Sequence, residues 1–160
     1  MDNFDTFPVP FRLFEINTGT VYFAFELKTL DNNTSNQSIK PGIFECIYRC
    51  PGMDCRFPCG LSIESLYYFY LSLDTAYDIE FSKNAKAVLD ADNKESTHIE
   101  FAFDDKCRCT VSGRIQNKAV PYQSGIFVSF PVEQSDVCDV LTSMENFFRA
   151  WKQLQGGTIL

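Results

Sequence analysis

The chain has 160 residues, 45% of them apolar, with 16 Phe, 7 Tyr and a formal net charge of -7. That length fits a single domain, residues 1–160, able to bury roughly 70% of its unfolded surface. The acidic balance argues against nucleic acid and anionic membrane as partners. The most apolar window, residues 66–73, falls far short of the roughly 20 residues a membrane helix needs.

In chain order, residues 1–10 are interrupted by proline and lack the basic and apolar regions of a signal peptide, which points to the cytoplasm. Residues 12–16 read as a short strand, and Asn17-Thr18-Gly19 as a turn. Val21, Phe23, Phe25 and Leu27 then alternate with Tyr22, Ala24, Glu26 and Lys28, the pattern of a half-buried strand. Residues 31–41 are polar and read as a loop, and residues 43–50 as a third strand. Cys50-Pro51-Gly52 ends that strand, and a loop containing Cys and Pro is expected to run to Gly60.

A helix is expected from Ser62, whose hydroxyl can cap it, with an apolar stripe of Leu66, Phe69, Tyr70, Leu73 and Tyr77. Four more strands follow. Residues 85–89 are a weak strand, and the polar turn after them leads to Ile99, Phe101 and Phe103 alternating with His98, Glu100 and Ala102. In residues 107–116, Cys107, Cys109, Val111 and Ile115 face opposite to Arg108, Thr110, Ser112 and Arg114. Ile126, Val128 and Phe130 mark the last strand. Residues 135–153 form the clearest helix: Val137, Val140, Leu141, Met144, Phe147, Phe148 and Trp151 make one stripe, with Ser135 as N-cap and Gly156-Gly157 as stop.

The expected order is β-β-β-α-β-β-β-β-α, with no evident internal repeat. The fold class is α+β: a mostly antiparallel sheet of about six to seven strands, with two amphipathic helices packed on one face.

Few residues suggest chemistry. In the cytoplasm, the seven cysteines read as thiols rather than disulfides. Cys50, Cys55 and Cys59, with Cys107 as a fourth ligand, are the one conceivable zinc set, although the spacing lacks the C-x2-C knuckle. His98 is the only histidine and falls on the solvent side of a strand, beside Glu100 and across from Arg108 or Arg114. Phosphate-binding, dinucleotide, nucleophile-elbow and metalloprotease motifs are absent. Neither a catalytic residue nor a cofactor is assigned, and the chain reads as no enzyme. The acidic run Asp90, Asp92, Glu95, Glu100, Asp104 and Asp105 suits steering of a basic protein partner. The tyrosines Tyr22, Tyr48, Tyr67 and Tyr68 are candidates for an interface, with Tyr67 and Tyr68 beside the first helix's apolar stripe.

Several stretches together resemble the small bacterial immunity proteins of wall-associated polymorphic toxins, the WapI-type family and its relatives. They are F-R-L-F-E-I at 11–16, the apolar strand 20–30 and L-S-I-E-S-L-Y-Y-F-Y-L-S-L at 61–73. H-I-E-F-A-F-D at 98–104, C-T-V-S-G-R-I at 109–115 and G-I-F-V-S-F-P-V-E-Q-S-D-V-C-D-V-L at 125–141 complete the set. The cysteine loop at 50–59 departs from that pattern. The resemblance implies a non-enzymatic cytoplasmic protein, monomer or homodimer, that binds and neutralises a cognate toxin domain, often a nuclease. An acidic inhibitor matches the basic surface such a nuclease presents to its substrate. The alternative is a zinc-binding accessory domain built on the cysteine loop.

Overall fold

The computed structural model describes residues 9–30, 41–78, 83–90, 97–117 and 124–154. All of the expected loop at 31–41 but Pro41, all of the polar turn at 90–96 but Asp90, and the Gly156-Gly157 stop lie outside those residues. Eight strands and two helices run in the order β1 (Phe11–Asn17), β2 (Tyr22–Leu30), β3 (Pro41–Cys50), β4 (Met53–Ser62), α1 (Ile63–Tyr77), β5 (Lys86–Asp90), β6 (Thr97–Phe103), β7 (Cys109–Asn117), β8 (Ser124–Val132) and α2 (Gln134–Leu154). The single sheet of six to seven strands is therefore corrected. Sheet A is β1-β2-β3-β4 and sheet B is β5-β6-β7-β8, each antiparallel throughout.

The difference comes from β4. What reads as a loop after Cys50 is a strand: Pro51 and Gly52 make a tight turn, Gly52 supplying the positive φ of 82° that such a turn demands. The chain then pairs back along β3 from Met53 to Ser62. With β4 restored, the chain is two consecutive ββββα units, a repeat of architecture that the sequence does not display.

The apolar faces of the two sheets meet each other. Phe14 of β1 packs edge-on against Phe101 of β6 at 6.5 Å between ring centroids, and Phe130 of β8 lies 5.6 Å from Phe23 and 6.2 Å from Tyr48. Each ring withdrawn from water contributes about 2–3 kcal/mol. A register shift between Arg12 and Phe14 places both Leu13 and Phe14 in the core, as a bulge does. The buried residues of both sheets and both helices form one continuous cluster.

The helices do not lie together on one face of one sheet, as expected. α1, which follows sheet A, packs chiefly against β5 of sheet B, with Phe69 against Phe101 at 5.5 Å. α2, which follows sheet B, packs against β1 of sheet A, with Phe147 against Phe11 at 5.6 Å. The helices touch through Phe148, whose ring lies 5.2 Å from Tyr67 and 5.5 Å from Tyr70. Each unit thus lends its helix to the first strand of the other. The opposite edge strands, β4 and β8, each carry a proline, Pro58 and Pro131, the residue type that discourages further pairing at a sheet edge.

The helix termini follow local chemistry. Ser62 caps α1, its hydroxyl accepting from the Ser65 N–H at 3.0 Å. The start of α2 lies before Ser135: the Asp136 carboxylate accepts from the Glu133 N–H at 2.9 Å, the reach-back half of a capping box. All seven residues of the expected α2 stripe are buried.

Candidate interaction surface

Among its described residues, Asp90, Glu100 and Asp104 of the acidic run are paired rather than free. Asp90 ends β5 and sits 2.6 Å from the Nδ1 of His98, its register partner on β6. Glu100 is tied to Lys86 at 3.2 Å. Asp104 is built into the β6–β7 turn, accepting from the backbone N–H groups of Lys106 and Arg108 and from the Arg108 guanidinium. Those bonds, the Arg108 N–H foremost, hold the Asp104 carboxyl below the ordinary aspartate value. Asp105 is exposed beside it. Asp92 and Glu95 lie outside the described residues. His98 faces Arg114 across the β6–β7 pair, one of the two partners expected for it.

The tyrosines divide sharply. Tyr48 is buried in the core, so it is no surface candidate; burial and the Cys50 thiol beside it raise its phenol above the ordinary value. Tyr67 is half-buried against Phe148 and Tyr70 and serves the helix contact. Tyr22 is half-buried on the solvent face of sheet A. Tyr68 alone of the four stands clear, 54% exposed.

Around Tyr68 a surface emerges that the sequence reading missed. Glu64, Tyr68, Leu71 and Thr75 recur at helical spacing along the outer side of α1, with Leu71 40% exposed and Asp78 as the C-cap at the end of the row. Tyr68, Leu71, Ser72, Thr75 and Ala76 line an open cavity of about 370 Å³, closed on its far side by Ala85 and Lys86 at β5. The stripe has a carboxylate at each end, and α1 contains no basic residue. The available signal was two apolar residues interrupting the polar stripe at i+4 and i+7 from Glu64.

The solvent face of sheet A is self-satisfied. Arg12 bonds Glu26 at 2.8 Å and Glu15 at 3.0 Å, Lys28 bridges Glu26 and Glu45, and Arg56 reaches Glu45 at 2.9 Å. Arg49 pairs with Asp54 at 3.2 Å and lies over the Tyr22 ring, while Tyr22 donates to Glu15 at 2.8 Å. Lys28 above all, then Arg12, holds Glu26 below the ordinary glutamate value. Four cations meet four carboxylates there, so this face contributes nothing to the excess negative charge.

The cysteines are spread rather than gathered. Cys50 ends β3, Cys55 and Cys59 lie along β4, and Cys107 sits in the turn before β7 with a positive φ of 60°. Four residues of extended strand put the α-carbons of Cys55 and Cys59 about 13 Å apart, too far for one tetrahedral ion. Among the described residues no group of three or more His, Cys, Asp and Glu side chains is placed to hold a metal. None of the seven cysteines forms a disulfide. Cys46 and Cys59 are buried on the inner face, and burial pushes the Cys46 thiol well up and the Cys109 thiol to about 12.

Among the described residues no helix is long and apolar enough to cross a membrane. No family model and no curated protein sequence matches the chain. A solved structure of the plant transcriptional regulator PBF-2 is similar in outline, with a TM-score of 0.47 and 14% identity, covering 94% of this chain and 85% of that one. A likeness of that size carries no functional argument.

Proposed function

We propose that this protein acts by binding a basic protein domain through α1, and that it serves as a cytoplasmic immunity protein neutralising a toxin, of which a nuclease is the best chemical match. The observation that carries the reading is the exposed pair Tyr68 and Leu71, set beside a cavity and bracketed by Glu64 and Asp78 on a helix without basic residues. Tyrosine in a partly apolar recess is the residue type that dominates binding energy at protein interfaces. The flanking carboxylates add attraction to a basic partner and speed its approach. Asp90, Glu100 and Asp104, being internally paired, are left with the lesser role of long-range field. The likeness of the chain to immunity proteins supplies the biological half of the proposal.

The test is co-expression with the cognate toxin domain, scored by cell survival and by calorimetric affinity. Tyr68→Ala is expected to weaken binding about 30-fold, equal to roughly 2 kcal/mol, and Leu71→Lys by more, with circular dichroism unchanged. Raising salt should slow association with little effect on dissociation. Wild-type affinity in both variants would remove α1 from the interface. A toxin domain that the protein neither binds nor neutralises would remove the immunity assignment.

A further inference from the structure

Each sheet ends in two edge strands, and the four edges are not alike. β4 carries Pro58, and β8, whose Phe127 stands 85% exposed on the outer face, carries Pro131. β1 is interrupted by its register shift and has α2 against it. β5 has no proline, and its register with β6 is unbroken from Lys86 to Asp90. Lys86 is the kind of residue that guards an exposed edge, but Glu100 draws it over β6 at 3.2 Å.

The hydrogen-bond phase of β5 is set by Ala85, whose carbonyl accepts from the Phe103 N–H at 2.9 Å. Alternate residues of an antiparallel ladder bond to the same neighbour, so Ala87 and Leu89 also turn their backbone groups to β6. Lys86 and Val88 turn theirs the other way, where no described strand lies. Each of these two residues offers one donor and one acceptor to an incoming strand. Beside this edge runs the cavity of about 370 Å³, with Tyr68, Leu71 and Thr75 of α1 on one wall and Ala85 and Lys86 on the other. A strand edge and a helix with a partly apolar cleft between them is an arrangement in which a peptide binds by joining a sheet.

We propose that an extended basic segment of the partner protein pairs antiparallel with β5 as a fifth strand of sheet B and seats an apolar side chain in the cavity. The proposal rests on α1 as the docking face and adds the form of what docks there. Side chains of a paired strand alternate, so one set turns toward Tyr68 and Leu71 while the other stays in water. Charge selects the occupant. α1 presents Glu64 and Asp74 and no cation, and the chain carries a net charge of -7. That field attracts a cationic segment and opposes both a nucleic-acid strand and a second copy of the chain.

The test uses a capped heptapeptide of alternating lysine and valine, titrated into the full chain and followed by the backbone amide resonances. Saturable shifts are expected at Lys86, Val88, Tyr68 and Leu71, with slowed hydrogen exchange at Lys86 and Val88. With its valines toward the cavity, the peptide turns its lysine N–H groups to β5. Methylating those nitrogens should weaken binding about 10-fold or more, whereas methylating the valine nitrogens should not. Val88→Pro removes the outward donor without touching a bond to β6, and should produce the same loss. Shifts confined to α1, or equal affinity for the two methylated peptides, overturn strand addition and leave α1 as a docking face. Affinity unchanged in Tyr68→Ala removes the α1 wall, and with it both this site and the docking reading. Amides of β5 that shift on dilution without peptide overturn the basic occupant in favour of a second copy.

Discussion

Sheets A and B are built alike, four antiparallel strands with one face in a shared core, yet their solvent faces are opposites. Sheet A closes its outer face with a lattice of ion pairs around Tyr22, and Ala24 and Ile47, in register within it, are fully buried. Sheet B leaves an aromatic ring standing in water beside a recess. Core packing fixes the inner faces, because any loss of volume there costs stability directly. No such demand acts on the outer faces, and there the two units differ.

The sharpest way to test the contrast uses two phenylalanines of one strand. Phe130→Ala, emptying a site against Phe23 and Tyr48, is expected to cost about 3–5 kcal/mol in denaturant unfolding. Phe127→Ala should stay within about 0.5 kcal/mol of wild type. Equal losses would mean that Phe127 is packed and that sheet B has no open face.

A smaller effect is expected from Gly113→Ala, where the added methyl meets the His98 carbonyl and the Ile99 backbone. A loss of about 1–3 kcal/mol in the same measurement would confirm that β6 and β7 approach too closely for a side chain.

The smallest effect belongs to the lattice. Glu26→Gln should cost about 0.5–1 kcal/mol at low salt and less at high salt, because its partners are partly solvated. Glu26 is held below its ordinary value in the folded chain. Its contribution is therefore present above the ordinary glutamate range and lost as pH falls through the lowered folded value. Unfolding midpoints followed into acid should fall less steeply in Glu26→Gln than in wild type; parallel curves would show that the lattice adds no stability.

Much of this architecture was legible from hydrophobic periodicity. The α2 stripe, the inward residues Phe23, Phe25 and Leu27 of β2, and the facing of β6 and β7 follow from spacing alone, since burial selects those positions. β4 escaped because its inward residues include cysteines. Cys55, Phe57, Cys59 and Leu61 alternate as strand residues do, but cysteines counted as metal ligands hide an alternation that cysteines counted as small apolar groups reveal. Missing β4 also hid the second sheet and the repeat. Of the candidate surfaces, Tyr68 was legible and its neighbour Leu71 was not, because the groove depends on β5 coming alongside α1. The pairing of Asp90, Glu100 and Asp104 was equally beyond the sequence, being set by strand register and turn geometry.

The exchange of helices between the units has a consequence for synthesis. When the first four strands have left the ribosome, the helix that will cover β1 has yet to be made. Phe11 gains its contact with Phe147 only after nearly all the described chain is available. Sheet A must wait, partly bare, until α2 has been made, and contacts so distant in sequence make closure slow. A chaperone that shields β1 during that interval would act on the step at which this molecule is most exposed to aggregation.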